Sequence, residues 1–164
     1  MVGAPGSGKT YWLNNHKKEI KTSYAIISRD VIRFSMLKEG DEYFSKEKEV
    51  YKEFISQIKT SLANNEETYV DATHLNLSSR AKLLSAIDGY NDNIEIHAIV
   101  IKRPLDIVLA QNAKRTGRAL VPETAVKNMY ASYVRPDAEL EQINYVWELD
   151  FKINKLKMID YWEG

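Results

Sequence analysis

Short runs of β-forming residues alternate along this chain with longer segments of helical periodicity. Tyr24–Ser28 and Thr68–Asp71 are brief runs typical of strands, and Tyr145–Leu149 is another. Ile94–Ile101 alternates and then becomes continuously apolar, as a strand buried inside a parallel sheet does. Because strands that alternate with helices build a parallel sheet flanked by helices, the pattern predicts an α/β fold.

The clearest helix is predicted over Lys46–Asn64, where apolar residues recur at every fourth position. Shorter helices are predicted over Val31–Lys38, Leu77–Ile87, Pro104–Lys114 and Pro122–Tyr133. The last two begin with a proline, which suits the first helical position because the N–H that proline lacks would be unpaired there.

Composition narrows the class of protein. The chain has 164 residues, which suits one domain, and it contains no cysteine, so disulfides and cysteine nucleophiles are excluded. Its 23 basic residues balance 23 acidic ones. This balance argues against an extensive duplex-binding surface, although a local basic pocket can still grip one phosphorylated end. No apolar run reaches the length of a membrane span, so we expect no membrane partner and a cytoplasmic location.

The chain opens with M-V-G-A-P-G-S-G-K-T, in which residues 3–10 fit the phosphate-cradling pattern G-x-x-x-x-G-K-[ST]. Glycines let backbone N–H groups wrap an anion, Lys9 reaches the β- and γ-phosphates, and the Thr10 hydroxyl binds Mg²⁺. The pattern predicts a site for ATP, or another nucleoside triphosphate, with Mg²⁺. Its residues are Gly3, Ala4, Pro5, Gly6, Ser7, Gly8, Lys9 and Thr10.

This loop normally follows a buried strand, yet only Met1 and Val2 precede Gly3. A sheet without that strand would leave ladder groups unpaired, at about 1–3 kcal/mol per group. We therefore expect either that the natural chain begins upstream and its N-terminal strand is truncated here, or that Met1 and Val2 form an unusually short strand.

S-R-D-V-I-R follows the first predicted strand, at the edge where parallel sheets bind ligands. Asp30 and Arg33 are three residues apart, so they share a helix face. In isolation the pair is typical of a helix-capping ion pair. Downstream of a phosphate-binding loop, it favours a kinase acceptor site, in which a carboxylate takes the acceptor's proton and a cation holds its anionic group.

D-A-T-H-L-N follows the second predicted strand. Asp71 can there hold Mg²⁺-bound water or position an acceptor, and Thr73 is predicted to be functional with it. Asn76 is predicted to cap the next helix. We expect His74 to be a surface loop residue without a catalytic role.

Basic residues cluster around Gly117 between two predicted helices, in Q-N-A-K-R-T-G-R-A-L-V-P. A solvated basic turn is the usual explanation of such a run. In kinases with a phosphate-binding loop, a helical lid brings arginines over the phosphates and stabilises transition-state charge. We predict such a lid at about residues 111–121, with Arg115 as the first candidate and Arg118 as the second.

In order and spacing, these segments resemble the polynucleotide 5′-kinases of phage and bacterial nucleic-acid end-healing systems. GAPGSGKT looks like that family's P-loop, SRDVIR its [NS]-R-D-x-x-R acceptor motif, and DATHLN its D-x-T-N-L-type segment. QNAKRTGRALVPETAVKNMYASY is similar to its lid and following helix. The resemblance covers roughly Gly3 to Tyr133, and it implies a three-layer P-loop NTPase fold with a helical lid.

The resemblance also implies a substrate, the 5′-hydroxyl end of DNA or RNA. It makes Asp30 the general base for that hydroxyl and Arg33 the contact to the phosphate on the 3′ side of the terminal nucleotide. Asp71 and Thr73 organise the acceptor site in this family. Lys9 and Arg115 stabilise the transferring γ-phosphoryl group.

Two other functions stay open at this point. A kinase of the same fold could act on a nucleoside, sugar or antibiotic, which suits a compact chain with zero net charge. A nucleotide-binding module could instead hydrolyse ATP to switch a partner. The sequence leaves DNA versus RNA, the donor nucleotide and homo-oligomerisation undecided.

Overall fold

The computed structural model describes residues 1–89 and 94–164. The strands in the described part of the chain are β1 (Tyr24–Ser28), β2 (Glu67–Asp71), β3 (His97–Val100), β4 (Tyr145–Asp150) and β5 (Lys155–Tyr161). The α-helices there are α1 (Lys9–His16), α2 (Arg29–Met36), α3 (Glu47–Ala63), α4 (Leu77–Ile87), α5 (Leu105–Ala113), α6 (Glu123–Ala131) and α7 (Ala138–Glu141). A 3₁₀ turn covers Gly117–Ala119.

A short N-terminal segment lies between two groups of strands. β1 pairs in parallel with β2, while β3 pairs in parallel with β4 and β4 in antiparallel with β5. Val2 forms a parallel bridge with Val100 on one side, donating to Ile99 O at 2.8 Å. On the other side, Gly3 N donates to Thr73 O at 2.9 Å, just beyond β2. Residues 2–3 thus occupy the central position of the sheet as a very short strand.

Apolar side chains cover both faces of the sheet. On one face Ile101 and Leu149 pack with Trp12 and Leu13 of α1. On the other face Val2, Val100 and Val146 pack with residues in and beside α7. Beside them, Val50, Phe54 and Ile58 of α3 form a cluster with Ile27 of β1. These layers confirm the predicted three-layer α/β fold, and they bring the loops after β1, β2 and residue 2 to one edge of the sheet.

The predicted helices and strands are found, with most boundaries shifted by one or two residues. β3 begins at His97, three residues later than the predicted Ile94. Pro104 and Pro122 are N-cap residues, one position before the predicted first helical position. The antiparallel β5 was not predicted. It is joined to β4 by a four-residue turn, a connection too short for a parallel crossover.

Candidate phosphate-transfer site

Three glycines give the loop before α1 its curled shape, either through their backbone conformation or because a side chain would not fit. Gly6 and Gly8 have positive φ, 85° and 102°, which non-glycine residues rarely adopt. A Cβ on Gly3 would meet Ile101 O at 2.6 Å, and one on Gly6 would meet Val108 O at 2.5 Å. A Cβ on Gly8 would meet nothing within 4 Å. The loop is therefore tightly packed against neighbouring backbone at Gly3 and Gly6 and open at Gly8. Because α1 begins directly after Gly8, its helix dipole favours an anion at this open end.

The Lys9 side chain is buried against the backbone of the loop that precedes it. Its Nζ donates to Gly3 O at 2.8 Å and to Ala4 O at 3.0 Å. Burial lowers the pKa of Lys9 to about 8, while the charges of Asp71 and Asp30 oppose that shift and Arg115 adds to it. The ammonium is thus buried at the loop, and charged groups from the three other predicted segments act on it.

Thr10 and Asp71 meet beside this loop. Thr10 Oγ1 donates a hydrogen bond to Asp71 Oδ2 at 3.3 Å. Asp71 is buried at the carboxyl end of β2. A hydroxyl and a carboxylate are the oxygen ligands that Mg²⁺ takes, and P-loop NTPases hold Mg²⁺ with a P-loop Ser or Thr and an Asp. The pair is therefore suited to bind Mg²⁺, and the open loop beside it is suited to bind a triphosphate.

The described residues contain no group of three or more His, Cys, Asp or Glu side chains able to hold a metal on their own. A magnesium ion at Thr10 and Asp71 would therefore need water and phosphate oxygens to complete its ligands, as Mg²⁺ usually does. Thr73, the neighbouring predicted residue, contributes its carbonyl to Gly3 N and so joins β2 to the loop.

Asp30 lies in the first turn of α2, directly after β1. Its side chain is 52% exposed. Oδ1 accepts hydrogen bonds from Arg33 Nη1 and from the Tyr43 hydroxyl, the latter at 2.9 Å. The ion pair expected from the i,i+3 spacing is present, and the carboxylate remains accessible beside it.

Arg33 is much less accessible than its predicted role would suggest. It is only 5% exposed. Its Nη2 donates to Glu47 Oε2 at 2.9 Å, and its Cζ lies 4.6 Å from the centre of the Tyr43 ring. Glu47 also pairs with Arg29 through Oε1. Arg33 is therefore part of a buried ionic network, rather than a free cation at the mouth of the site.

The two predicted lid arginines point to different parts of the molecule. Arg115 donates to Ala119 O at 3.4 Å, and its charge lowers the pKa of Lys9, as noted above. Arg118 instead donates to Leu37 O at 2.7 Å, at the end of α2. The charge of Arg115 thus reaches Lys9, whereas Arg118 joins the predicted lid segment to the end of α2.

One buried side chain joins the two ends of the predicted lid segment. Asn112 Nδ2 donates to Val121 O at 2.7 Å, and Asn112 Oδ1 accepts from Val121 N at 3.3 Å. Between the end of α5 and Val121, the only regular element is the 3₁₀ turn. The segment predicted to be a lid is therefore a short loop between α5 and α6, whose two ends are joined by Asn112.

Sequence reasoning missed several residues at this edge. Tyr43 and Glu47 lie 13 and 17 residues after Asp30, in a turn and at a helix start, and no motif marks them. Lys102 and Arg103 follow β3, so the rule that ligands bind at the carboxyl ends of strands could have found them. They line a cavity of about 260 Å³ beside the P-loop, together with Ser7, whose buried Oγ has no partner in the described part of the chain.

The expectation that His74 is a surface residue is wrong. It is 6% exposed, and its Nδ1 lies 3.2 Å from Met1 O, beneath the N-terminal strand. Burial lowers the pKa of His74 to about 3. The prediction for Asn76 is confirmed, because its Oδ1 accepts from Ser79 N at 2.9 Å and caps α4.

Comparison with known families identifies the class. A family profile described as an AAA domain matches residues 1–136, so the chain belongs to this family. Its P-loop and its three-layer fold with a mostly parallel sheet make it a P-loop kinase-like domain. No curated protein matches the sequence. In the described residues, no helix is both long and apolar enough to cross a bilayer.

Solved structures share the fold at low sequence identity. A chain in the "Structure of the Pnkp1/Rnl/Hen1 RNA repair complex" matches 99% of this chain with a TM-score of 0.67 and 19% identity. A chain in the "Structure of Pnkp1/Rnl/Hen1 complex" matches 66% of it, with a TM-score of 0.58 and 22% identity. The match covers 47% and 36% of those two chains, so this chain spans less than half of their length.

A gluconokinase from Sinorhizobium meliloti 1021 also matches. The match covers 90% of this chain and 79% of the gluconokinase, with a TM-score of 0.52 and 17% identity. The fold is therefore that of P-loop phosphotransferases, and both an RNA repair complex and a gluconokinase contain it. The fold alone does not choose the acceptor.

Proposed function

We propose that this domain transfers the γ-phosphoryl group of ATP to the 5′-hydroxyl end of DNA or RNA. The observation that carries the proposal is the accessible carboxylate of Asp30, which follows β1 and whose charge acts on Lys9 in the P-loop. A base at the same edge of the sheet as a phosphate-binding lysine is what an acceptor hydroxyl requires. The resemblance of SRDVIR and the lid segment to polynucleotide 5′-kinases supplies the identity of the acceptor.

On the donor side, the backbone N–H groups of residues 3–10 and the Lys9 ammonium hold the phosphates. Thr10 and Asp71, whose side-chain oxygens lie 3.3 Å apart, would hold Mg²⁺, which gives Asp71 a role on the metal side and not on the acceptor side. ATP supplies the phosphoryl group, and Mg²⁺ bound there would neutralise charge on the phosphate oxygens. Arg115, which already acts on Lys9, stabilises the charge that builds up during transfer.

On the acceptor side, Asp30 takes the proton of the 5′-hydroxyl while the oxygen of that hydroxyl bonds to the γ-phosphorus. The bond from that phosphorus to the bridging oxygen breaks, and the nucleoside diphosphate leaves. Thr73, whose carbonyl accepts from Gly3 N, lies between the donor side and the acceptor side. For Arg33 to contact the phosphate on the 3′ side of the terminal nucleotide, part of its contact with Glu47 has to be exchanged for that phosphate.

A small-molecule acceptor is the second candidate. It is favoured by the burial of Arg33, which leaves less cationic surface for a nucleic-acid phosphate. The fold shared with a gluconokinase is consistent with it. This alternative uses the same donor side and the same Asp30.

The deciding experiment is transfer of a labelled γ-phosphate to a panel of acceptors. The panel contains 5′-OH DNA, 5′-OH RNA, 3′-mononucleotides, nucleosides and gluconate. We expect the 5′-OH oligonucleotides to be the preferred acceptors. Preference for gluconate or a nucleoside would support the small-molecule kinase, and ATP hydrolysis that no acceptor stimulates would support a nucleotide-driven switch.

Asp30→Asn tests the base assignment in the same assay. We expect transfer to fall by about 10²–10⁴-fold, the usual contribution of a general base, with ATP affinity unchanged. Asp106→Asn is the matched control, because Asp106 also lies exposed in the first turn of a helix, α5. Wild-type transfer by Asp30→Asn would show that another group takes the proton.

A further inference from the structure

Tyr43 lies on a turn that is held in place without its hydroxyl. Residues 37–46 connect α2 to α3. Lys38 N donates to Asp41 Oδ2 at 2.8 Å, and Lys46 Nζ donates to Met36 O at 2.7 Å. The Tyr43 ring additionally packs edge-on against Phe44, with centroids 4.6 Å apart. The position of the hydroxyl is therefore set by the turn and the ring.

That hydroxyl contacts the carboxylate of Asp30. It donates to Asp30 Oδ1 at 2.9 Å, and Arg33 Nη1 donates to the same oxygen. Arg33 Nη1 also donates to the Tyr43 hydroxyl at 3.1 Å, so the three groups form a closed triangle. Within residues 1–89 and 94–164, no protein group bonds to Oδ2 of Asp30. One carboxylate oxygen is thus occupied by the protein, and the other is available.

The surroundings of Tyr43 keep its hydroxyl protonated, so that it can donate a hydrogen bond. Burial and the charge of Asp30 raise the pKa of Tyr43 to about 12, so its hydroxyl stays protonated at neutral pH. Arg33 is held from its other side by Glu47, whose Oε2 accepts from its Nη2 at 2.9 Å and from its Nε at 3.3 Å. Glu47 in turn pairs with Arg29. The positive charges of the two arginines therefore balance the negative charges of Asp30 and Glu47.

We propose that the Tyr43 hydroxyl is a positioning group for Asp30, holding one carboxylate oxygen so that the other faces the hydroxyl of the acceptor. It acts through Asp30 and does not itself touch the reacting atoms. This inference rests on the proposed role of Asp30 as the base. It adds a residue that lies outside every motif of the sequence.

The test is Tyr43→Phe, which removes the hydroxyl and keeps the ring that Arg33 contacts. We expect kcat for phosphoryl transfer to fall roughly tenfold, because a hydrogen bond to a charged group is lost. KM for the acceptor and the affinity for ATP should change by less than about twofold. The matched control is Tyr51→Phe, whose hydroxyl donates to Lys82 O at 3.3 Å and whose ring lies 5.3 Å from Arg29 Cζ. We expect this control to keep wild-type kcat.

A double-mutant cycle separates positioning from a general structural effect. If Tyr43 acts through Asp30, Tyr43→Phe should cause no further loss of transfer in the Asp30→Asn background. An undiminished tenfold loss in that background, or wild-type kcat in Tyr43→Phe alone, would overturn the assignment. Thermal unfolding of each variant shows whether it remains folded.

The cycle also distinguishes this inference from the proposed function. If wild-type protein transfers phosphate to a small molecule and not to a 5′-OH end, the proposed function fails, and the same cycle with that small molecule still decides the role of Tyr43. Absence of transfer to every acceptor would overturn both, since no acceptor proton would then be removed at Asp30.

Discussion

Thr10 at the start of α1 and Asp71 at the end of β2 are joined by a hydrogen bond of 3.3 Å, although 61 residues separate them in the chain. The contact exists because residues 2–3 lie directly beside β2, so that the loop after residue 2 and the end of β2 share one edge of the sheet. It brings a hydroxyl and a carboxylate together beside the phosphate-binding loop, where the two can share one metal ion.

Removing the Thr10 hydroxyl should weaken binding of the magnesium complex of ATP specifically. We expect Thr10→Ala to lower that affinity by roughly tenfold, because one oxygen ligand of Mg²⁺ is lost. Affinity for ATP in the presence of EDTA should be unchanged. Isothermal titration calorimetry with and without Mg²⁺ measures both.

Thr10→Ser is the control for this experiment, because it keeps the hydroxyl and removes only a methyl group. It should bind the magnesium complex like the wild type. Equal losses with and without Mg²⁺ in Thr10→Ala would mean that Thr10 shapes the loop and does not bind the metal.

Nucleotide binding should take up protons at alkaline pH. The pKa of Lys9 is lowered to about 8, so at pH 8.5 most of the free protein carries a neutral Lys9. Phosphate oxygens beside Nζ favour the charged form and raise that pKa, so binding protonates the amine. Calorimetry in two buffers of different ionisation enthalpy gives the number of protons taken up at pH 8.5.

Lys9→Arg is the control, since a guanidinium is already fully charged at that pH. We expect its proton uptake to be close to zero wherever its binding can still be measured. The same uptake in wild type and Lys9→Arg would assign the proton to another group.

A buried ion pair holds the segments behind the site together. Arg80 Nε lies 2.6 Å from Glu141 Oε2, and the two side chains are 4% and 3% exposed. Arg80 also donates to His74 O at 3.1 Å and to Val134 O at 3.0 Å. Glu141→Gln leaves this buried guanidinium without its countercharge, so we expect the free energy of unfolding to fall by about 3 kcal/mol.

Urea unfolding at pH 7 measures that loss. The matched control is Glu123→Gln, which breaks the exposed pair of Glu123 with Lys127. We expect this change to cost less than about 0.5 kcal/mol, as is usual for a helix-surface pair. A loss in Glu141→Gln as small as that of the control would contradict the inference from burial.

His74 should make the fold sensitive to acid. Its pKa is lowered to about 3 in the folded protein, whereas an unfolded histidine titrates near pH 6.5. The stability that depends on neutral His74 is therefore fully present above about pH 6.5 and is lost as the pH falls towards 3. Between pH 6.5 and pH 5, the free energy of unfolding should drop by about 2 kcal/mol from this group.

His74→Asn provides the comparison, because the φ of His74 is 42° and asparagine tolerates such a backbone. Urea unfolding at pH 7.5 and pH 5 should show a smaller acid loss in this variant than in the wild type. If both proteins lose the same stability, carboxylates elsewhere explain the acid sensitivity.

Local patterns in the sequence predicted much of the fold. α4 and β1 have the predicted boundaries, and Asn76 is the predicted cap. Each of these depends on hydrogen bonds or periodicity within a few neighbouring residues, which is information that a short stretch of sequence contains. Likewise, the glycine spacing of residues 3–8 requires a curled loop wherever it lies in the chain.

The contacts of the site residues depended on tertiary structure. The spacing predicted that Asp30 and Arg33 share a face, but only the fold brings Tyr43 and Glu47 against them and buries Arg33. His74 looked like a surface residue, but it is buried against Met1, because the N-terminal segment lies directly beside the end of β2.

By itself, the sequence predicted a phosphate-binding loop that ends near residue 10, and it placed acidic groups after two strands. Only the tertiary structure decided which acidic group pairs with Thr10 and which remains open to an acceptor. The reason is physical: motifs record local backbone geometry, whereas the partner of a side chain is set by segments that meet only when the sheet assembles.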